Sequence, residues 1–309
     1  MKQTSETVVF FGSGPVAAAS LELLARDFLV EAVITKPKPA HHRGEFPVID
    51  MANHLGLKLF TVASKAELSA LIATKPFTSK LGVLIDFGII VAQDTIDYFE
   101  KGIVNSHFSL LPEWRGADPI TFSILSGQKM TGVSLMLLVE AMDEGPLLAQ
   151  AAYDISPTAT ASSLTSGLIE LSSQLLNKII PLYLLDETDT KDQASVTLAP
   201  DATPTYSRKL TKEDGRIDWN KPATQLDREV RGFEQWPKSF TRLGDIDVVI
   251  TKAHAIEGNA KPSEVIVEGL LLSIGCGEGL LVIDELKPSG KQAMNSSAFL
   301  AGYRNRLES

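Results

Sequence analysis

Over the first 185 positions the apolar residues fall into two alternating patterns. Short unbroken runs occupy Thr7–Phe11, Ala32–Thr35, Leu57–Phe60, Leu81–Ile85, Ile103–Ser106 and Val133–Val139. Such runs suit strands covered on both faces. Between them lie stretches with apolar spacing near ~3.6 residues, which suits helices packed by one face. The spacing predicts helices starting at Pro15 and over Phe46–Gly56, Ala66–Thr74, Pro119–Leu125 and Ala161–Leu185. Pro15 favours its helix, because the first turn has no use for the missing N–H. The β-α-β-α alternation predicts an α/β layered domain with a mainly parallel sheet. Ligands in such sheets bind beyond the carboxyl ends of the strands.

The pattern then changes. Asp186–Pro204 is polar, acidic and proline-containing, and reads as a linker between domains. Arg216–Glu234 looks partly helical. Short alternating runs follow at Ser239–Leu243, Val248–Ala253, Glu264–Glu268, Leu270–Gly275 and Leu280–Leu286, separated by Gly and Pro turns. They predict a small antiparallel barrel. The expected organisation is a first domain over 1–187, a linker over 188–204 and a second domain over 205–309.

Composition narrows the classes. One cysteine, Cys276, allows no internal disulfide and no Cys-based metal site, which fits a reducing, cytoplasmic setting. The polar start Met1–Thr7 shows no signal peptide, and no apolar stretch reaches the ~18 residues of a membrane span. The net charge is −9. Residues 206–309 carry 15 basic and 15 acidic side chains, and the first 205 carry 14 and 23. RNA contact would have to be local, not a bulk electrostatic effect.

The chemistry concentrates at 103–119, Ile-Val-Asn-Ser-His-Phe-Ser-Leu-Leu-Pro-Glu-Trp-Arg-Gly-Ala-Asp-Pro. On a strand, Asn105 and His107 share a face. An amide donor beside an imidazole suits stabilisation of an oxyanion next to an acid/base group. Asp143, in Met-Asp-Glu-Gly-Pro, could hold the imidazole; Glu144 would point elsewhere. The three together suggest acyl-type transfer to an amine. Arg115 could pair with a carboxylate or phosphate, or form a surface ion pair.

Gly12-Ser13-Gly14-Pro15 is a glycine-rich turn from strand into helix. It makes a poor dinucleotide site. Ala17 stands where the third glycine belongs, and the second strand ends in Thr35-Lys36 with no acidic ribose anchor. Lys36, Lys38, His41, His42 and Arg43 form a small basic island, either a contact for an anionic substrate or RNA, or a solvated loop. Adjacent histidines point apart, so a metal site there is not expected. His54 and His254 are given no role. Trp219 and Trp236 are expected to pack in the C-terminal core or between domains.

These motifs resemble the folate-dependent formyltransferases. The resemblance rests on Asn-Ser-His-Phe-Ser-Leu-Leu-Pro-Glu-Trp-Arg-Gly with a later Asp-Glu-Gly, on Phe-Phe-Gly-Ser-Gly-Pro, and on Ile-Asp-Phe-Gly-Ile-Ile at 85–90. Residues 206–219, 236–240 and 284–294 resemble the branch of that family acting on methionyl-tRNA. The resemblance implies a Rossmann-like formyltransferase domain followed by a small, OB-like β-barrel that helps hold initiator tRNA. It implies transfer of the formyl group of 10-formyltetrahydrofolate to the α-amine of methionyl-initiator tRNA, without a metal. By similarity, Asn105, His107 and Asp143 are catalytic. Ser109, Leu110, Leu111 and Pro112 form the folate-binding turn, and Phe87, Gly88 and Ile89 give backbone contacts to the pterin. Lys36, Lys38, Arg43 and Gly44 belong to a loop near the tRNA acceptor end. A cytoplasmic monomer is expected.

The chain departs from the family pattern at Asp86 and Asp118, where small residues are usual, and in a shorter, less basic 36–45 loop that ends in Glu45. Formyl transfer to another amine, such as an amino-sugar nucleotide or glycinamide ribonucleotide, stays open on the Asn-His-Asp set alone. A non-catalytic RNA-binding protein and a nicotinamide oxidoreductase are the more distant alternatives.

Overall fold

The computed structural model describes residues 7–39, 44, 46–199 and 203–307. In chain order the elements are β1 (Thr7–Phe11), α1 (Pro15–Asp27), β2 (Leu29–Thr35), α2 (Pro47–His54), β3 (Leu59–Thr61), α3 (Lys65–Ala73), β4 (Leu81–Leu84) and α4 (Gln93–Tyr98). Then come β5 (Ile103–His107), β6 (Arg115–Gly116), α5 (Pro119–Ser126), β7 (Met130–Leu137), β8 (Leu147–Asp154), α6 (Ala161–Leu184), α7 (Gln193–Val196) and β9 (Tyr206–Ser207). The remainder is α8 (Ala223–Gly232), β10 (Ser239–Leu243), β11 (Ile246–Ile256), β12 (Val265–Glu268), β13 (Leu271–Gly275), β14 (Leu280–Pro288), β15 (Met294–Asn295) and α9 (Ser296–Tyr303).

The chain divides into two compact units that interleave in sequence. The first is formed by the described parts of Met1–Gly116, Met130–Asp154 and Thr165–Tyr206. The second is formed by those of Ala117–Lys129, Ile155–Leu164 and Ser207–Ser309.

The first unit is built on a sheet of order β3-β2-β1-β4-β5-β7-β8. Strands β1 to β5 run parallel to one another, whereas β7 is antiparallel to β5 and β8 is antiparallel to β7. The apolar runs behave as buried parallel strands should: all four residues of β4 and the last four of β1 are buried. On α1, Ala17, Ala18, Leu21 and Leu24 form one buried stripe behind Pro15 in the first turn. The helix α3 is capped at Ser64, whose side chain accepts the Glu67 N–H, while Glu67 accepts the Ala63 N–H. The short α4 and strand β8 carry weak sequence signals. Strand β8 lies at the sheet edge and reads Leu-Leu-Ala-Gln-Ala-Ala-Tyr-Asp, poor in β-branched residues. Its partner β7 carries Gly132, where a Cβ would stand 2.1 Å from the Ala151 carbonyl oxygen. Only glycine permits that approach.

In the second unit the main sheet has the antiparallel order β10-β11-β14-β13-β12, with β15 on β14. Ala223, Leu226 and Val230 form the buried face of α8. They share a core with Ile250, Ile274, Leu281, Ile283 and Phe299. Cys276 lies in this core, and burial pushes its thiol up. Trp219 packs against the core as expected. Trp236 does not: it is 55% exposed. It lies in the turn after α8, and its indole N–H reaches the Leu210 carbonyl at 3.4 Å. Among the described residues no helix is long and apolar enough to cross a membrane.

Glu31 of β2 ties the loop before β4 to the sheet. Its carboxylate accepts the Thr78 N–H at 2.9 Å, the Ser79 N–H at 2.7 Å and the Ser79 hydroxyl at 2.5 Å. Burial pushes this carboxyl up, but the hydrogen bonds from Ser79 and Thr78 outweigh it and hold it below the ordinary glutamate range. A depressed carboxyl stabilises the fold above its unfolded-state value and loses that contribution as pH falls through the folded value. Glu31→Gln is therefore expected to cost about 2 kcal/mol at neutral pH. In urea unfolding titrations, the gap to the parent should close as pH drops below about 4.

Candidate active site

Strand β5 ends at the place where the sheet changes from parallel to antiparallel, with β4 on one side and β7 on the other. Its pleat does what the sequence alternation implies. Ser106 faces away and shares a 2.7 Å hydrogen bond with Ser172 of α6. Asn105 and His107 point to the opposite face and are buried, each 7% exposed. Asp143 arrives from the loop between β7 and β8. Its Oδ1 lies 3.4 Å from the Asn105 side-chain nitrogen, and its Oδ2 lies 3.7 Å from His107 Nδ1. The same Oδ2 accepts the Gly116 N–H at 2.7 Å. The structure thus brings together all three residues singled out as an acid/base and oxyanion group.

The imidazole is held from its other side. His107 Nε2 is 3.0 Å from the Trp114 carbonyl oxygen. A carbonyl can only accept, so Nε2 carries a hydrogen, and any hydrogen on Nδ1 faces the Asp143 carboxylate. Trp114 adopts a left-handed backbone, with φ of 55°. That conformation is unfavourable for a bulky residue. It is kept by neighbours: the Trp114 N–H donates to Thr205 Oγ1 and the Arg115 N–H to the Thr205 carbonyl, both at 2.9 Å. Asp143 is also left-handed, with φ of 52°.

The Ser109–Pro112 turn is built inward. Ser109, Leu110 and Leu111 are fully buried, and Pro112 is buried. The Ser109 hydroxyl donates to the Glu113 carbonyl at 2.5 Å. The Ser134 hydroxyl donates to the Ser109 carbonyl and accepts the Leu111 N–H. Gln150 donates to the Leu111 carbonyl at 2.8 Å. These side chains shape a rigid support at the end of β5.

The loop after β4 is more open. Phe87 is buried, Ile89 is half-buried, and Asp86, Gly88 and Ile90 are exposed. Gly88 is left-handed, and a Cβ there would stand 2.7 Å from Lys36 Nζ. Lys36, at the end of β2, thus lies over this loop. Lys38 is engaged differently, donating to the Gly44 carbonyl at 2.7 Å. Arg43, with His41 and His42, lies outside the described residues. The Gly12–Gly14 turn is latched to the same loop: the Ser13 hydroxyl donates to the Phe87 carbonyl at 2.8 Å. A Cβ on Gly14 would meet an Asp86 carboxylate oxygen at 2.3 Å. A carboxylate at the start of α1 is a poor neighbour for a phosphate, which argues against dinucleotide binding.

Arg115, expected to pair with a carboxylate or phosphate or to form a surface ion pair, and Gln193, which was not expected, complete the surroundings. Arg115 forms an ion pair with Glu144 at 3.1 Å and donates to Gln193 Oε1 at 2.9 Å. Gln193, from the polar segment after α6, is buried and donates to the carbonyls of Asp143 and Gly145, each at 2.8 Å. Nothing in the local sequence marked it, because a glutamine in an acidic, proline-containing stretch has no periodic or motif signature. An anion, an amide donor and an imidazole with both nitrogens engaged can polarise a carbonyl and accept a proton from an attacking amine.

Residues 7–180 match the family described as formyl transferase, and residues 209–304 match formyl transferase, C-terminal domain. The chain belongs to the formyl transferase family. Among its relatives, the methionyl-tRNA formyltransferase of Myxococcus xanthus is 34% identical over 311 residues, covering 96% of this chain and 95% of the relative. The methionyl-tRNA formyltransferase of Gluconobacter oxydans is also 34% identical, over 307 residues and 96% of each chain. The solved N-formyltransferase of Helicobacter canadensis, in complex with folinic acid and dTDP-3-aminofucose, has a TM-score of 0.67 and 16% identity. It covers 94% of this chain and 100% of that one, a likeness of fold. The formyl transferase fold therefore extends over both units.

Gly145 sits beside Asp143, and a Cβ there would stand 1.8 Å from the Leu137 carbonyl oxygen. Backbone cannot yield cheaply at that distance. Gly145→Ala is expected to cost about 3 kcal/mol in denaturant unfolding. It should also lower activity in the fraction that folds.

Proposed function

We propose that this chain transfers the formyl group of 10-formyltetrahydrofolate to the α-amine of methionyl-initiator tRNA. The observation that carries the reading is the convergence of Asn105, His107 and Asp143 at the carboxyl end of β5, in a chain whose relatives at 34% identity are methionyl-tRNA formyltransferases. In this reading, catalysis belongs to 1–187, a connection to 188–204, and tRNA holding to 205–309.

The residues present suit a folate. The loop after β4 offers exposed Ile90, half-buried Ile89 and the backbone of exposed Gly88, which match a flat heterocycle with hydrogen-bonding edges. Phe87 supports that loop from the core. Ser109, Leu110, Leu111 and Pro112 contribute the rigid wall of the turn and not their side-chain polar groups. When bound, 10-formyltetrahydrofolate supplies an activated formyl carbon and a leaving nitrogen.

Asn105 uses one amide hydrogen toward Asp143 and has a second to offer the formyl oxygen as negative charge develops there. His107, whose Nδ1 faces the Asp143 carboxylate, is the second donor once its Nε2–H exchanges the Trp114 carbonyl for the formyl oxygen. Asp143 receives the proton lost by the attacking amine, and the same proton is returned to the leaving nitrogen as its bond to the formyl carbon breaks. Atoms and charge then balance: a carbon–nitrogen bond forms at the amine and one breaks at the folate. Lys36, Lys38, Arg43 and Gly44 serve the acceptor end of the tRNA, a local basic contact on a chain of net charge −9. The working unit is a cytoplasmic monomer.

Loss of one oxyanion donor costs about 10²–10³-fold in rate. Asn105→Ala and His107→Ala are each expected to lower kcat by about that factor, with KM values little changed. Wild-type kcat in both would sink their assignment. Single-turnover transfer from 10-formyltetrahydrofolate should strongly favour initiator methionyl-tRNA over elongator methionyl-tRNA and over an amino-sugar nucleotide. Transfer only to the small amine would keep the catalytic residues and overturn the tRNA reading. Arg43→Ala should raise the KM for tRNA several-fold and leave folate affinity unchanged in direct binding titrations. A fall in folate affinity instead would remove the loop from tRNA recognition.

A further inference from the structure

We propose that Gln193 is a positioning residue for formyl transfer: its side-chain amide fixes the main chain of Asp143 and so holds that carboxylate beside Asn105 and His107. The inference rests on the reading of Asp143 as the proton acceptor.

Asp143 stands in a loop with no regular partner strand of its own, and its backbone is left-handed. Such a conformation persists only where the surroundings over-determine it. The carboxylate end is set by the Gly116 N–H at 2.7 Å. The main-chain end is set by Gln193, whose Nε2 donates its two hydrogens to the Asp143 and Gly145 carbonyls, both at 2.8 Å. The remaining group, Oε1, accepts from Arg115 at 2.9 Å, and Arg115 in turn holds Glu144 at 3.1 Å. One side chain, 5% exposed, thereby reaches residues 143 and 145 directly and 144 through an ion pair.

Gln193 is itself anchored on both sides in sequence. Before it, Lys191 and Leu147 exchange both backbone hydrogen bonds at 2.8 Å. After it, the Thr197 hydroxyl donates to the Leu111 carbonyl at 2.5 Å, in the turn that follows β5. The segment therefore spans from the loop that carries Asp143 to the turn behind His107. Its geometry suits a brace that keeps the two sides of the cleft in register. Without the amide, two carbonyls lose their donors and the left-handed residue loses its constraint.

The test compares Gln193→Met with Gln193→Glu. The first keeps the volume and removes every polar contact. The second keeps the shape and the Arg115 partner but replaces the donor facing the two carbonyls with an acceptor. Each is made alone and with Asp143→Asn, in the full chain, and kcat, KM for both substrates and melting temperature are recorded. A displacement near 1 Å can cost on the order of 10²-fold in rate. Both single variants are expected to lose at least ~10-fold in kcat, with KM values within about threefold. In the Asp143→Asn background the same changes should cost almost nothing further, because the group they position is already gone. Wild-type kcat in both Gln193 variants, beside a damaged Asp143→Asn, overturns the inference. So does an equal loss in both backgrounds, which is what a purely structural role gives. Wild-type kcat in Asp143→Asn alone overturns the underlying reading of Asp143 instead. If Gln193→Met is recovered unfolded, Gln193→Glu, which retains the Arg115 contact, decides by the same comparison.

Discussion

A single carboxylate holds the site together. Asp143 is reached by the Gly116 N–H, faces the His107 imidazole and lies against the Asn105 amide. Those partners come from the strand β5 and from the loop that follows it, and Asp143 comes from the far end of an antiparallel neighbour. Asn105 and His107 are buried and the Asp143 side chain is largely shielded, so these contacts are less screened by water than they would be at a fully exposed surface. Remove the anion and three segments lose their common partner. The turn at Ser109–Pro112, the left-handed Trp114 and the Gln193 amide all serve to keep this arrangement in place.

Backbone strain is placed accordingly. Among the described residues, eight that are not glycine are left-handed, and two of them, Trp114 and Asp143, lie directly at this arrangement. Aspartate tolerates that region better than most residues because its short side chain bonds locally. Trp114 has no such excuse, and its carbonyl is the group that fixes His107. The cost of that conformation is repaid where the chain meets Thr205. A strained carbonyl aimed at an imidazole fits the role proposed for His107.

The charge distribution complements this picture. The first 205 residues hold 14 basic and 23 acidic side chains. A polyanion would meet repulsion over most of that surface, so recognition has to rest on a few placed cations and on shape. In the proposed reading, Lys36 over Gly88, next to the loop after β4, is one such cation inside the described part of the chain. The Asp86 carboxylate at the start of α1 works the other way, discouraging phosphate at a turn whose glycines would otherwise invite it.

The strands β1, β4 and β5, the helix α1 and the site pair Asn105 and His107 were legible in the chain because each rests on local periodicity. A buried parallel strand must be an apolar run, and a pleat must alternate. The α/β-then-antiparallel order of the two units follows from the same local patterns. Strand β8, helix α4 and the partial exposure of Trp236 were not legible. Strand β8 gains its ladder from β7 and a bridge to Lys191, partners distant in sequence, α4 is a single short turn-and-a-half, and Trp236 sits where a turn, not a core, dictates its place. Asp143 could be nominated from its motif, but its distances to His107 and Asn105 depend on how residues 38 apart in sequence meet. Gln193 is the clearest case. Its importance comes wholly from two carbonyls and a guanidinium some fifty and nearly eighty positions away, and hydrogen bonds of that range leave no periodic trace in a sequence. The residues alone determined which elements form and which side chains share a face; tertiary structure decided which separate loops meet, because that depends on the packing of the whole sheet and not on any one segment of it.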